Sequence, residues 1–175
     1  GGMDVFDSIC HAFATTGTGG FSTKQASIEY YHSPYIEYVI SIFMFVSGIN
    51  FTLLLLFVNG KFRKFIHDAE LKWYLWSVIG FTAFIAIVLY YNSSMGVEEA
   101  FRKSLFQVAS LHTSTGFATA DYMTWPSVLW GTLTVIMIIG ACAGSTTGGM
   151  KCIRLLILAK ISRNEFKHIT HPNAV

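Results

Sequence analysis

The stretch GACAGSTTGG, residues 140 to 149, decides the fold because it interrupts the longest apolar run of the chain. Residues 127 to 150 carry no charge, and the apolar pattern continues to 160 past Lys151 and Arg154. A straight helix over 127 to 160 would measure about 51 Å, against a hydrocarbon core of about 30 Å. Each of the four glycines in this stretch disfavours a helix by roughly 1 kcal/mol relative to alanine. We therefore expect this apolar run to break at 140 to 149.

Two further apolar runs are long enough to cross a bilayer. Residues 35 to 58 carry a single charge, Glu37, and would extend about 36 Å as a helix, while residues 73 to 91 carry no charge. The whole chain is 53% hydrophobic and 13% charged, with a mean hydropathy of +0.50. Its aromatic residues concentrate at the ends of the apolar runs, as expected at bilayer interfaces. The sequence predicts an all-α membrane protein with three transmembrane helices.

The charged residues give an orientation and exclude some functions. A net charge of +2, spread along the chain, does not indicate a nucleic-acid partner, and no catalytic constellation is present, so no enzymatic activity is predicted. Basic residues accumulate after the first run and around the end of the third, which predicts that both ends are cytoplasmic. These residues are Lys61, Arg63, Lys64, Lys72, Lys151, Arg154, Lys160, Arg163 and Lys167.

Two segments outside the three runs resemble each other. DSICHAFATTGTGGFST (7 to 23) aligns with KSLFQVASLHTSTGFAT (103 to 119), and each is followed by a proline and an apolar run. The alignment pairs Ser8 with Ser104, Gly20 with Gly116, Phe21 with Phe117 and Thr23 with Thr119. Both segments lie on the predicted outer side, and each has an amphipathic stretch too short to cross. The unit is therefore a short re-entrant pore helix, a returning loop and a spanning helix.

The composition of the returning loops suits a monovalent cation. Backbone carbonyls can point at a dehydrated ion only from an extended, glycine-permitted conformation, and threonine and serine hydroxyls add neutral oxygens. Acidic residues begin both short helices, where negative charge suits the helix dipole: Asp4, Asp7, Glu98 and Glu99. His11 and His112 are expected at loop–helix ends. Asn50, within the first apolar run, is expected to form an interhelical hydrogen bond rather than to bind an ion.

Three strings carry a family resemblance: TGTGGFST (16 to 23), TSTGFATADY (113 to 122) and GACAGSTTGGMKCIR (140 to 154). They resemble the filter loops and broken helix of the Trk/Ktr/HKT potassium transporter superfamily, nearest its TrkH branch. The resemblance implies four membrane-pore-membrane repeats around one axis. This chain would hold the pore loop and second span of repeat two (1 to 58), a cytoplasmic linker (59 to 72), all of repeat three (73 to 167) and a cytoplasmic tail (168 to 175).

The resemblance also implies the site residues. Gly20 and Gly116 are the filter glycines, with Gly19 as the alternative to Gly20, and carbonyls near Thr18, Gly19, Ser114 and Thr115 line the ion sites. The gate is an intramembrane loop made of Gly140, Gly144, Ser145, Thr146, Thr147, Gly148 and Gly149, where Thr147 replaces a usual third glycine. Neither filter reads TVGYG, so strong selectivity for potassium over sodium is not implied.

The remaining expectations concern Lys151, Arg154 and the partners. Both cations could snorkel to the cytoplasmic interface or set an electrostatic barrier below the loop. The resemblance implies potassium as the transported ligand without a cofactor, a multi-pass place in the bacterial inner membrane, and contact with lipid and the remaining repeats. It also implies a homodimer and a cytoplasmic nucleotide-binding regulatory subunit. The rival hypothesis is a non-conducting structural segment in which small residues only let helices pack closely.

Overall fold

The computed structural model describes residues 2–93 and 95–170, and the regular secondary structure within them is helical. An isolated parallel bridge joins Ile139 and Met150. The all-α prediction is therefore confirmed. The helices are α1 (Val5–Thr16), α2 (Pro34–Ser47), α3 (Phe51–Val58), α4 (Phe62–His67), α5 (Ala69–Asn92), α6 (Val97–His112), α7 (Ser127–Ile138) and α8 (Cys152–Thr170), with short 3₁₀ helices at Ser27–Tyr31 and Tyr122–Thr124. Residues 171 to 175 of the predicted tail lie outside the described residues.

Helix α5 is the single helix within the described ranges that is long and apolar enough to cross a bilayer. Its 24 residues have a mean hydropathy of 1.8 in the most apolar window, and they extend about 36 Å. The predicted run 73 to 91 lies inside it. Helices α1, α6 and α7 have 12, 16 and 12 residues, which is too short for a hydrocarbon core of about 30 Å.

The first apolar run differs from the prediction of one continuous helix over 35 to 58. It forms two helices, α2 and α3, that meet at an angle of 103°. At the bend, Gly48 packs so closely on Tyr74 that a Cβ would collide with the tyrosine hydroxyl. Asn50 then caps α3, because its side-chain oxygen accepts a hydrogen bond from Thr52 N at 2.8 Å. Asn50 is therefore a helix cap rather than an interhelical residue.

The third apolar run breaks where the sequence predicts. Helix α7 ends at Ile138 and α8 begins at Cys152, with irregular backbone between them. The starts of the helices that follow the loops also match: Pro34 is the first residue of α2, while Pro126 precedes α7 as its N-cap. Because proline has no backbone N–H, neither residue leaves an unpaired donor at the start of its helix.

Two clusters of buried apolar side chains hold the helices together. The larger cluster lies around α5, α6 and α7 and includes Tyr74, Ile85, Leu89, Leu129 and Ile136. The smaller cluster joins α2 and α6 with the segments after α1 and α6, and Ala14 of α1 packs against it. Its buried members include Ile28, Met44, Phe106, Ala109 and Phe117. Helix α6 contributes to both clusters, so it connects the first aligned segment with the rest of the molecule.

Candidate functional site

The loop after α1 turns back through two residues with positive φ. The Gly19 N–H donates to Ala14 O at 2.8 Å, which closes the end of the helix. Thr18 then has φ +49° and Gly20 has φ +66°, both in the left-handed region. Threonine adopts this region only at an energetic cost, so the loop is held by its surroundings.

The loop after α6 repeats this conformation residue by residue. The Thr115 N–H donates to Ser110 O at 2.8 Å, Ser114 has φ +57° and Gly116 has φ +84°. In the alignment of 7 to 23 with 103 to 119, these residues correspond to Gly19, Thr18 and Gly20. The internal repeat predicted from the sequence is therefore present in the backbone.

The two loops touch each other at Gly20. A Cβ on Gly20 would fall on the carbonyl oxygen of Thr115, whereas a Cβ on Gly19 would meet the Phe21 ring at an ordinary 3.4 Å. Gly116 needs glycine for its φ, but a Cβ there would meet no atom within 4 Å. Of the two alternatives, Gly20 is the counterpart of Gly116 in conformation.

The aligned phenylalanines have different environments. Phe117 is 1% exposed and lies with its ring centroid 5.7 Å from that of His11, whereas Phe21 is 82% exposed. His11 lies in the middle of α1, so its predicted place at a loop–helix end is wrong; His112 does end α6. The Nδ1 of His11 donates to Asp7 O at 2.7 Å, and its Nε2 therefore accepts from Ser22 Oγ at 2.9 Å.

Residues 138 to 141 pair with residues 150 to 152 and form a narrow stem at the base of the Gly-rich loop. Gly140 N donates to Met150 O at 2.9 Å, Met150 N donates to Ile138 O at 3.0 Å, and Cys152 N donates to Ala141 O at 3.2 Å. A Cβ on Gly140 would collide with the Gly148 carbonyl, so the two sides of the stem approach as closely as glycine allows.

The distal part of the Gly-rich loop lies against both returning loops. Thr18 Oγ1 donates to Thr146 O at 3.0 Å, and Thr146 Oγ1 donates to Thr16 O at 3.2 Å. On the other side, a Cβ on Gly148 would lie 3.2 Å from Ser114 Oγ. Carbonyl and hydroxyl oxygens of three separate segments are thereby gathered at one place.

The remaining residues of the Gly-rich loop make their contacts away from the two returning loops. Gly144 O accepts from Phe51 N at 3.1 Å, at the start of α3. Ser145 Oγ donates to Cys142 O at 2.6 Å and lies 2.8 Å from Thr147 Oγ1, so these hydroxyls bond within the loop. Gly149 has φ +75° and packs on the Gly140 backbone.

The two cations after the loop differ in their contacts. The Lys151 ammonium donates to the carbonyl of Thr147 and lies 3.0 Å from its Oγ1. Arg154 is exposed in the first turn of α8. Lys151 is thus tied to the loop. Among the described residues, no hydrogen bond joins the Arg154 side chain to the loop.

Glu70 contacts the backbone on both sides of the Gly-rich loop, which the sequence did not predict. This glutamate lies in the first turn of α5, is buried, and accepts hydrogen bonds from Ala143 N at 2.7 Å and Ile153 N at 3.2 Å. Nothing in the local pattern marks it, because an acidic residue at the start of a helix is ordinary.

A buried ion pair was also missed. Arg102 of α6 contacts Glu37 of α2 at 2.6 Å, and both side chains are about nine-tenths buried. Arg102 also contacts Glu98, one turn earlier on α6, at 3.0 Å. The isolated charge in the first apolar run is therefore the partner of an arginine in α6, one residue before the second aligned segment.

Asp7 has a role beyond the predicted helix-start charge. Its carboxylate accepts from Thr23 Oγ1 at 2.7 Å and Tyr31 Oη at 2.8 Å, and it lies 3.3 Å from Lys24 Nζ. These hydroxyls and the ammonium hold the pKa of the Asp7 carboxyl below its usual value. Asp7 thus fastens the segment after the first returning loop to α1.

The candidate ligands at this place are neutral oxygens. Within residues 2–93 and 95–170, no group of three or more His, Cys, Asp or Glu side chains is arranged to hold a metal ion. Carbonyls and hydroxyls are the ligands that suit a weakly hydrated monovalent cation.

Comparisons with known proteins relate the whole chain to one family. The TrkH family model, described as cation transport protein, matches residues 1–175. The Trk system potassium uptake protein TrkH of Escherichia coli K12 is 40% identical over 180 residues, which covers 99% of this chain and 36% of that protein. TrkG of the same strain is 35% identical over 175 residues, with 99% and 36% coverage.

A solved structure agrees with these relatives. The crystal structure of the potassium transporter TrkH from Vibrio parahaemolyticus matches with a TM-score of 0.93 at 36% identity, covering 99% of this chain and 38% of that one. The chain thus spans little more than a third of the length of the proteins it matches.

Proposed function

The chain belongs to the TrkH family of cation transport proteins, and on that premise we propose that it supplies two filter strands and a gate to a potassium uptake pore. The observation that carries the proposal is the meeting of two loops of the same backbone conformation with a third, Gly-rich loop. A segment that only packs helices closely needs no such convergence of oxygens. Membership in a family of transport proteins also agrees with the prediction that the chain is not an enzyme.

We assign the filter to the carbonyls of the two returning loops. In this proposal the ion contacts Thr18, Gly19 and Gly20 from one loop and Ser114, Thr115 and Gly116 from the other. Helices α1 and α6 end at these loops, so their carbonyl ends direct partial negative charge toward the ion. The matching left-handed residues in both loops support an equivalent role for the two strands.

We assign the gate to the Gly-rich loop, residues 140 and 144 to 149. Its contacts with Thr18 and Ser114 support a position across the route that an ion would take after the filter. Lys151, held against Thr147, would add positive charge there and oppose cation passage while the loop stays in place. Arg154 has the freedom to snorkel toward the interface.

The membrane topology and partners are part of the same proposal. In it, α2 with α3, α5, and α7 with α8 form three crossings, while α1 and α6 are re-entrant pore helices. The boundaries 1 to 58, 59 to 72, 73 to 167 and 168 to 175 then separate two repeats, a linker and a tail. Because the matched relatives are far longer, the remaining repeats, a homodimer, a cytoplasmic nucleotide-binding regulatory subunit and the bacterial inner membrane are proposed from the family resemblance.

The filter assignment is tested by rubidium uptake into vesicles that carry the full-length parent protein. Gly116→Asp forces a side chain into a left-handed position and adds a carboxylate at the filter, so we expect flux to fall at least about tenfold. The matched control is Gly131→Ala in α7, where a Cβ would meet no atom within 4 Å and flux should not change. Wild-type flux in a normally inserted Gly116→Asp protein would show that Gly116 is not in the filter.

A further inference from the structure

Glu70 binds both ends of the Gly-rich loop through one oxygen atom. Its Oε1 accepts from Ala143 N, at the start of the loop, and from Ile153 N, in the first turn of α8. The glutamate is 7% exposed, so water does not compete strongly for these bonds. A carboxylate forms stronger hydrogen bonds with backbone N–H groups than a neutral acceptor does.

The bonds of Glu70 differ from the other contacts that hold the loop. The stem bonds between residues 138 to 141 and 150 to 152 lie within the loop segment itself, so they can move with it. The contacts with Thr16, Thr18 and Phe51 hold the distal part of the loop, and Cys142 N, which donates to Gly48 O at 3.1 Å, ties its base to the bend between α2 and α3. Glu70 instead attaches the base of the loop to a different helix, α5.

Helix α5 begins directly after the linker that contains α4. Asp68 caps this helix by accepting from Leu71 N at 2.8 Å, which fixes the first turn where Glu70 lies. Any displacement of the linker that rotates or shifts this turn moves the Glu70 carboxylate relative to Ala143 and Ile153.

We propose that Glu70 is a positioning residue that latches the Gly-rich loop in its closed place and connects the loop to residues 59 to 68, the part of the linker that precedes α5. This inference rests on the gate function proposed above. Glu70 acts through the loop and touches no ion. Loss of the latch leaves two backbone N–H groups without an acceptor and lets the base of the loop separate from α5.

The test uses Cys142 and Cys152, which are both 0% exposed beside the loop stem, as reporters of its position. The full-length parent carries serine at Cys10 and at any cysteine outside this chain. We expect N-ethylmaleimide to label Glu70→Ala at least about tenfold faster than the parent and rubidium flux to rise. Glu70→Gln keeps a side-chain oxygen at the same reach but loses the charge, so its labelling rate should lie much closer to that of the parent than to that of Glu70→Ala. Gly80→Ala, within α5 where an added Cβ would meet no atom within 4 Å, should leave labelling unchanged.

Two results would overturn the latch: equal labelling of Glu70→Ala and the parent, or the same rise in Gly80→Ala. If Glu70→Ala fails to insert, Glu70→Asp decides, since its shorter carboxylate cannot reach both donors and should be labelled faster than Glu70→Gln. Equal labelling of those two variants refutes the proposal. Faster labelling with unchanged flux supports the latch and contradicts the gate function of the loop, so the two proposals fail separately.

Discussion

Gly20 is fixed both by its own backbone and by the neighbouring loop. Alanine in the left-handed region costs about 1–2 kcal/mol, and here its Cβ would also fall on the Thr115 carbonyl. We expect Gly20→Ala to destabilise the purified parent by at least about 2 kcal/mol in thermal unfolding. Gly80→Ala, inside α5 where a Cβ meets no atom within 4 Å, is the control and should not lower Tm. A Gly20→Ala protein as stable as this control would disprove the close approach of the two loops.

At the scale of single residues, the sequence predicts best those whose role depends on their own backbone conformation. The two short strings point to Gly116 and to either Gly19 or Gly20, because glycine favours a left-handed turn. The choice of Gly20 over Gly19 comes from the folded backbone. Glu70 gives no such signal, because its partners Ala143 and Ile153 lie 73 and 83 positions further along the chain. Its role depends on a contact that only the folded chain creates.

The Gly-rich loop is the element whose removal should change transport most directly. Deleting residues 144 to 148 removes the contacts with Thr18 and Ser114 but keeps the stem that joins α7 to α8. If the loop is a gate, rubidium flux through the full-length parent should rise severalfold. The control is Gly131→Ala in α7, where an added Cβ would meet no atom within 4 Å and flux should not change. Lower flux in a normally inserted deletion protein would contradict the gate assignment.

The two broken runs show what the pattern of a single element can and cannot predict. The break between α7 and α8 follows from glycine density and from a run too long for the bilayer. The bend between α2 and α3 does not, because that run contains one glycine, Gly48, and no proline after its start. The bend is stabilised by the distant Gly-rich loop, where Cys142 N donates to Gly48 O at 3.1 Å.

The pair Arg102–Glu37 joins the two aligned units of the molecule and provides a test of their association. Arg102→Gln leaves the buried Glu37 carboxylate without its partner and should destabilise the parent by about 3 kcal/mol, whereas Glu37→Gln should cost less because Arg102 keeps its contact with Glu98. The double variant should be less destabilised than the sum of the two, as thermal unfolding would measure. The control pair Lys103–Glu99 lies within α6 and is more exposed, so its removal should change stability by at most about 0.5 kcal/mol. Additive effects at Arg102 and Glu37 would refute their coupling.

The bend of α2 and α3 and the break before α8 supply each other's missing hydrogen bonds. Gly48 O accepts from Cys142 N, and Phe51 N donates to Gly144 O, so neither irregular segment leaves these groups bare in an apolar medium. If the loop is a gate, its movement would break both bonds, and water would have to pair with the four groups that they join. Opening would then take up water, and the balance between the two states would depend on the activity of water as well as on the ion.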